Sequence, residues 1–125
     1  MNIGFLDFMF ITNNPNVAKA AEECGVRRVW VDLEMIGKEA RQLGMNTVKS
    51  GHTLQDISVV KEILTTSELL VRVNPIYKGS EAEINEVIER GADIIMLPFF
   101  HTLEEVDTFL RIVNGRCKTC LLYTS

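Results

Sequence analysis

Three short apolar runs, VWVDLE at Val29–Glu34, LLVRVN at Leu69–Asn74 and DIIMLP at Asp93–Pro98, constrain this chain more than any other feature. Each is dense in Val, Ile and Leu and lacks the in/out alternation of a half-exposed strand. Such a run reads as a strand buried on both faces, the condition of a strand inside a parallel sheet. Parallel neighbours need a long crossover connection, usually a helix, and the stretches between the runs carry helix signals.

Asn14 reads as an N-cap with Pro15 at the first helical position, after a first strand at Gly4–Ile11. That helix carries Val17, Ala20, Ala21 and Cys24 on one face and stops at Gly25. The second strand is Arg28–Leu33, followed by a long irregular stretch from Glu34 to His52. Thr53 with Asp56 forms a capping box ahead of the stripe Ile57, Val60, Ile63 and Leu64. The third strand is Leu69–Val73. Ser80 with Glu83 reads as a second box, with Ile84, Val87 and Ile88 as the stripe and Gly91 as the stop. The fourth strand is Asp93–Leu97. Thr102 with Glu105 reads as a third box, with Val106, Phe109, Leu110 and Val113 as the stripe and Gly115 as the stop. A fifth strand begins near Arg116 or Cys117.

Two α/β architectures fit this alternation: a five-stranded doubly wound sheet, or the first half of a (β/α)8 TIM barrel from β1 to the start of β5. A complete barrel takes about 250 residues, so on the barrel reading the chain is truncated. The closing CLLYTS matches what one reading frame of a common transposase-adapter sequence encodes. Residues 1–119 are therefore taken as a partial barrel domain and Cys120–Ser125 as a non-native tail.

Composition narrows the function classes. At 125 residues, 46% of them hydrophobic, the chain holds at most one ordinary domain with a real core. No apolar stretch approaches the roughly 18 residues of a membrane span, and the N-terminus lacks the marks of a signal peptide. A net charge of −4 without a Lys/Arg cluster argues against nucleic acid. Cys24, Cys117 and Cys120 are too few and too unevenly placed for a disulfide framework, so a cytoplasmic protein is expected. No phosphate-binding glycine loop, nucleophile elbow or zinc-protease motif is present.

In α/β folds the chemistry sits where the parallel strands end. Here those ends supply Asp32 and Glu34, then Arg72 and Asn74, then the Pro98 turn. Asp32 and Glu34, two apart, can point the same way and help hold a metal-bound water or orient a base; a solvated strand end is the alternative. Arg72 lies in an apolar strand and needs an anionic partner, because a buried unpaired guanidinium is very costly. Asp32 or Glu34 can be that partner; equally, the guanidinium fork suits a substrate carboxylate or enolate oxygen. Asn74 can add a hydrogen bond or serve as a turn residue before Pro75. His52 is a candidate general acid/base or an exposed residue before a cap, and Arg41 a candidate anion contact or a solvated charge.

DLE at Asp32–Glu34, VRVN at Val71–Asn74, and GADIIMLP at Gly91–Pro98 followed by HTLEEV resemble, in order and spacing, the HpcH/HpaI aldolase and citrate lyase β-subunit family. The resemblance covers the chain up to Thr119. It implies a phosphoenolpyruvate/pyruvate-type barrel and a divalent-metal-dependent (Mg2+ or Mn2+) carbon–carbon lyase, a class II pyruvate-type aldolase acting through the enolate of a 2-oxo acid. It further implies that Arg72 contacts the substrate carboxylate or enolate oxygen and that Asp32 and Glu34 lie near the metal-bound water. The metal ligands are expected on strands five and six, past the truncation, so that this fragment is inactive while the full-length parent is a homo-oligomeric enzyme. Where the aldolase branch often has a histidine base, this chain has Met35, and His52 is the candidate replacement. The alternatives are a citryl- or malyl-CoA lyase-like enzyme, a non-catalytic five-stranded binding module, or another enolate-handling barrel.

Overall fold

The computed structural model describes residues 7–35 and 52–122. Among the described residues five strands alternate with four helices: β1 Met9–Ile11, α1 Pro15–Glu23, β2 Arg28–Asp32, α2 Leu54–Ile63, β3 Glu68–Arg72, α3 Ser80–Glu89, β4 Ile94–Pro98, α4 Leu103–Val113 and β5 Lys118–Leu122. All four strand pairings are parallel, in the order β1-β2-β3-β4-β5.

That order decides between the two architectures. A doubly wound sheet reverses its strand order at a switch point and carries helices on both faces, whereas a (β/α)8 barrel runs in sequence with its helices outside. Here Val29, Val31, Leu69, Val71, Ile95 and Leu97 all pack with helix residues, among them Ala18, Ile57, Val60, Ile84, Val87, Phe109 and Val113. The alternate strand positions Trp30, Leu70, Ile94, Met96, Cys120 and Leu122 form a second cluster made of strand residues alone. All four helices therefore cover one face of the sheet, and the chain is the first half of a (β/α)8 barrel. The continuous apolar strands follow: one set of side chains meets the helices and the other the barrel interior.

Local signals hold at most of the helix ends. Asn14 Oδ1 accepts from the backbone N–H of Asn16 and Val17, with Pro15 in the first turn. Thr53 and Asp56 form both legs of the capping box. Thr102 Oγ1 accepts from Glu105 N, while the Glu105 carboxylate takes the N–H of His101.

Two expectations are corrected. Ser80 does not cap α3: the N-cap is Gly79, without a side-chain cap bond, and Ser80 Oγ instead accepts from Tyr77 N (2.8 Å). Its supposed partner Glu83 accepts from Asn74, and the Ser80 N–H that would have completed the box goes to Tyr77 O (3.1 Å). In α1 the residues turned into the protein are Ala18 and Glu22. Val17, Ala20, Ala21 and Cys24 instead border an apolar groove with Phe10 and Val26.

Glu22 shows why a charged residue occupies a buried helix position. It is 8% exposed, and its carboxylate accepts from the N–H groups of Thr65, Thr66 and Ser67 and from the Thr65 hydroxyl, at 2.7–3.2 Å. Burial pushes its pKa up, but those four donors more than offset it and hold the carboxyl at about 2.

Candidate functional site

The parallel register sets Asp32 directly opposite Arg72. Arg72 Nε donates to Asp32 Oδ1 (2.9 Å) and Nη2 to Oδ2 (2.6 Å), a bidentate pair whose side chains are 12% and 5% exposed. This is the ion pair expected as one reading of Arg72. It uses one edge of the guanidinium. The terminal Nη1 donates to no group among the described residues. Arg72 also lies over the Trp30 ring, its Cζ 5.1 Å from the ring centroid, within cation–π range.

The turn after β2 is organised by the same carboxylate. Glu34 N donates to Asp32 Oδ1 (3.1 Å), and Glu34 is itself only 1% exposed. Leu33 N continues the ladder to Arg72 O (2.9 Å). His52 closes on this strand end from the other side of the sequence: its Nδ1 accepts the Asp32 N–H at 2.8 Å. An acceptor Nδ1 leaves the proton of a neutral ring on Nε2.

Asn74 ties the ends of β2 and β3 to α3. Its Oδ1 accepts from Met35 N (2.7 Å), and its Nδ2 donates to Glu83 Oε2 (2.8 Å). Burial raises the pKa of Glu83 and outweighs the two bonds from Asn74 that lower it. Burial, and then the charge of Glu83, raises that of Tyr77. A cleft of about 530 Å3 lies here, between α2 and α3 at the carboxyl ends of β2 and β3, with His52, Asn74, Tyr77 and Glu83 in its wall.

Asp32, Glu34, Arg72, Asn74 and His52 thus gather at one strand-end cluster. Arg41 lies outside the described residues. Reading by motif passed over Trp30 and took Glu83 only for a capping-box partner. The available signal for Trp30 was its period-two spacing from Asp32, which places both on one strand face. Glu83 had none, because its partner lies across a turn. Among the described residues no group of three His, Cys, Asp or Glu could hold a metal ion. Asp32, one of the two carboxylates at the strand end, is already held bidentately by Arg72, so these residues do not by themselves fit a complete metal site. No helix among them is long and apolar enough to cross a membrane.

No family model matches the chain, and no curated protein matches it. A solved structure of a mandelate oxidase mutant with benzaldehyde is similar in fold. It superposes with a TM-score of 0.63 at 12% sequence identity, over 93% of this chain and 40% of its own. The chain therefore spans well under half the length of that barrel protein, and the likeness is one of fold, the (β/α)8 barrel.

Proposed function

We propose that this chain is part of a divalent-metal-dependent carbon–carbon lyase of the HpcH/HpaI aldolase and citrate lyase β-subunit type, acting on a 2-oxo acid through its enolate. One observation carries the reading: a nearly buried guanidinium at the barrel mouth is fixed by Asp32 along one edge while its terminal nitrogen donates to no described residue. Arg72 then grips the carboxylate of the 2-oxo acid, and its charge stabilises the enolate oxygen that develops as the carbon–carbon bond breaks. Asp32 keeps the fork in plane. His52, with Nδ1 held by the Asp32 N–H, presents Nε2 for proton transfer. The Mg2+ or Mn2+ that such chemistry needs would draw its ligands from outside the described residues. On this reading the chain binds substrate but does not turn it over, and the complete enzyme is a cytoplasmic homo-oligomer.

The test uses oxalate, a planar mimic of enolpyruvate, and pyruvate as probes. Trp30 is the chain's one tryptophan and lies against Arg72, so its emission reports on the site. Saturable change is expected, with Arg72→Gln weakening binding by about tenfold or more. Equal affinity in Mg2+ and in a chelator is expected if the metal ligands lie elsewhere. No saturable change with either probe overturns the proposal.

A further inference from the structure

We propose that Trp30 is a positioning residue for Arg72: the indole face is the platform that holds the guanidinium in the plane set by Asp32, leaving its terminal edge aimed out of the strand face. Three observations converge on this. Trp30, Asp32 and Arg72 share the interior face of two paired strands, Asp32 directly opposite Arg72 and Trp30 two residues before Asp32. The Arg72 Cζ is 5.1 Å from the Trp30 ring centroid, so the guanidinium is held along one edge by a carboxylate and on one face by a π-system. Finally, Trp30 Nε1 is buried with no hydrogen-bond acceptor among the described residues.

The last point decides against simple packing. A buried donor without an acceptor costs about 1–3 kcal/mol, so leucine or phenylalanine would suit this apolar position better on stability grounds alone. Tryptophan has the strongest cation–π face of the aromatic residues, and that face is turned to Arg72. The carboxylate holds Nε and Nη2, so each half-turn about Nε–Cζ breaks one of its bonds, and the ring lying against the guanidinium adds a second barrier to that turn. This matters for a group that must meet a planar carboxylate in a fixed orientation.

The first test needs no ligand. In nitrogen-15 NMR, exchange between the two Arg72 Nη signals reports rotation about the Nε–Cζ bond. Trp30→Leu is expected to speed that rotation roughly tenfold, with Trp30→Phe between it and the parent. Because Trp30→Leu can unfold the chain, the decisive variant is biosynthetic replacement of the single tryptophan by 5,7-difluorotryptophan, which keeps ring shape and weakens only the π-face. Faster Arg72 rotation in that protein, with an unchanged melting curve, supports the proposal; unchanged rotation overturns it.

The second test rests on the carboxylate-binding reading above. Calorimetric affinity for oxalate is expected to fall about threefold to tenfold in the fluorinated protein. If Arg72 rotation responds to the ring but oxalate does not bind the parent chain, the positioning role stands and the carboxylate reading falls. If oxalate binds the parent and fluorinated chains equally, with rotation unchanged, the positioning role falls alone.

Discussion

Residue scale is where the buried charges explain themselves. Asp32 and Arg72 neutralise each other inside the barrel mouth, so removing one partner strands the other. Asp32→Asn is expected to destabilise the chain by about 3–5 kcal/mol, and replacing both residues by leucine and methionine to cost less than that single change; urea unfolding of the three proteins checks the order. Glu22 gives a pH signature. Its folded pKa of about 2 lies below the ordinary carboxylate value of 4.5. Its stabilisation is therefore fully present above pH 4.5 and is lost as pH falls from there toward 2. Glu22→Gln should lower stability by about 1–3 kcal/mol at neutral pH and flatten the acid limb between those values. A parallel acid limb in the variant would show that other carboxylates set it. The need of Arg72 for an anion was legible from one charged residue in an apolar run. Which carboxylate answers it was not, because Asp32 and Glu34 are equivalent in sequence and only the register distinguishes them.

Elements end where local chemistry stops them, and the stops differ in kind. Gly25 at φ 96° and Gly91 at φ 109° both follow helix ends, a conformation glycine adopts freely. A methyl group added at Gly25 meets nothing, whereas at Gly91 it comes within 2.9 Å of Lys61 Cγ. Lys61 is itself tied to Asp93, Nζ to Oδ2 at 2.8 Å. Gly25→Ala is expected to cost about 1 kcal/mol of backbone strain, and Gly91→Ala measurably more, because the lysine and its ion pair must shift. Thermal unfolding of the two variants compares them directly. The caps at Asn14 and Thr53 were readable because a capping bond spans two or three residues. The Ser80–Glu83 box was a false match: the same letters sit where the chain is still turning, and Tyr77 and Asn74 take the two side chains.

At the scale of the whole molecule, the described sheet has two edges and one uncovered face. β1 pairs only with β2, and β5 only with β4. Met9 and Ile11 on the interior side and Phe10 on the helix side are each 44–51% exposed, and the groove beside α1 is lined by apolar side chains. Parallel edge strands with apolar flanks recruit further chain. The isolated chain is expected to associate in a concentration-dependent way, visible by light scattering, and Val17→Lys with Leu121→Lys is expected to reduce it. A strictly monomeric parent at every concentration would mean that the exposed surface is not sticky.

The amino-acid sequence by itself determined the alternation of strands and helices, most of their caps, and the burial of the three central strands, because hydrophobic period and capping act over a few neighbouring residues. It also placed Asp32, Glu34, Arg72 and Asn74 at strand ends. The family resemblance pointed to a half barrel, and the strand order and the one-sided helices bear that out over a doubly wound sheet. Both have the same local pattern and differ in which strands meet and on which side the helices lie. Tertiary structure alone paired Arg72 with Asp32, set Trp30 beneath it, brought His52 to the end of β2 and turned Glu83 to Asn74. Each of these contacts joins residues separated by a turn, a helix or a crossover, and their proximity is a property of the closed register rather than of any segment.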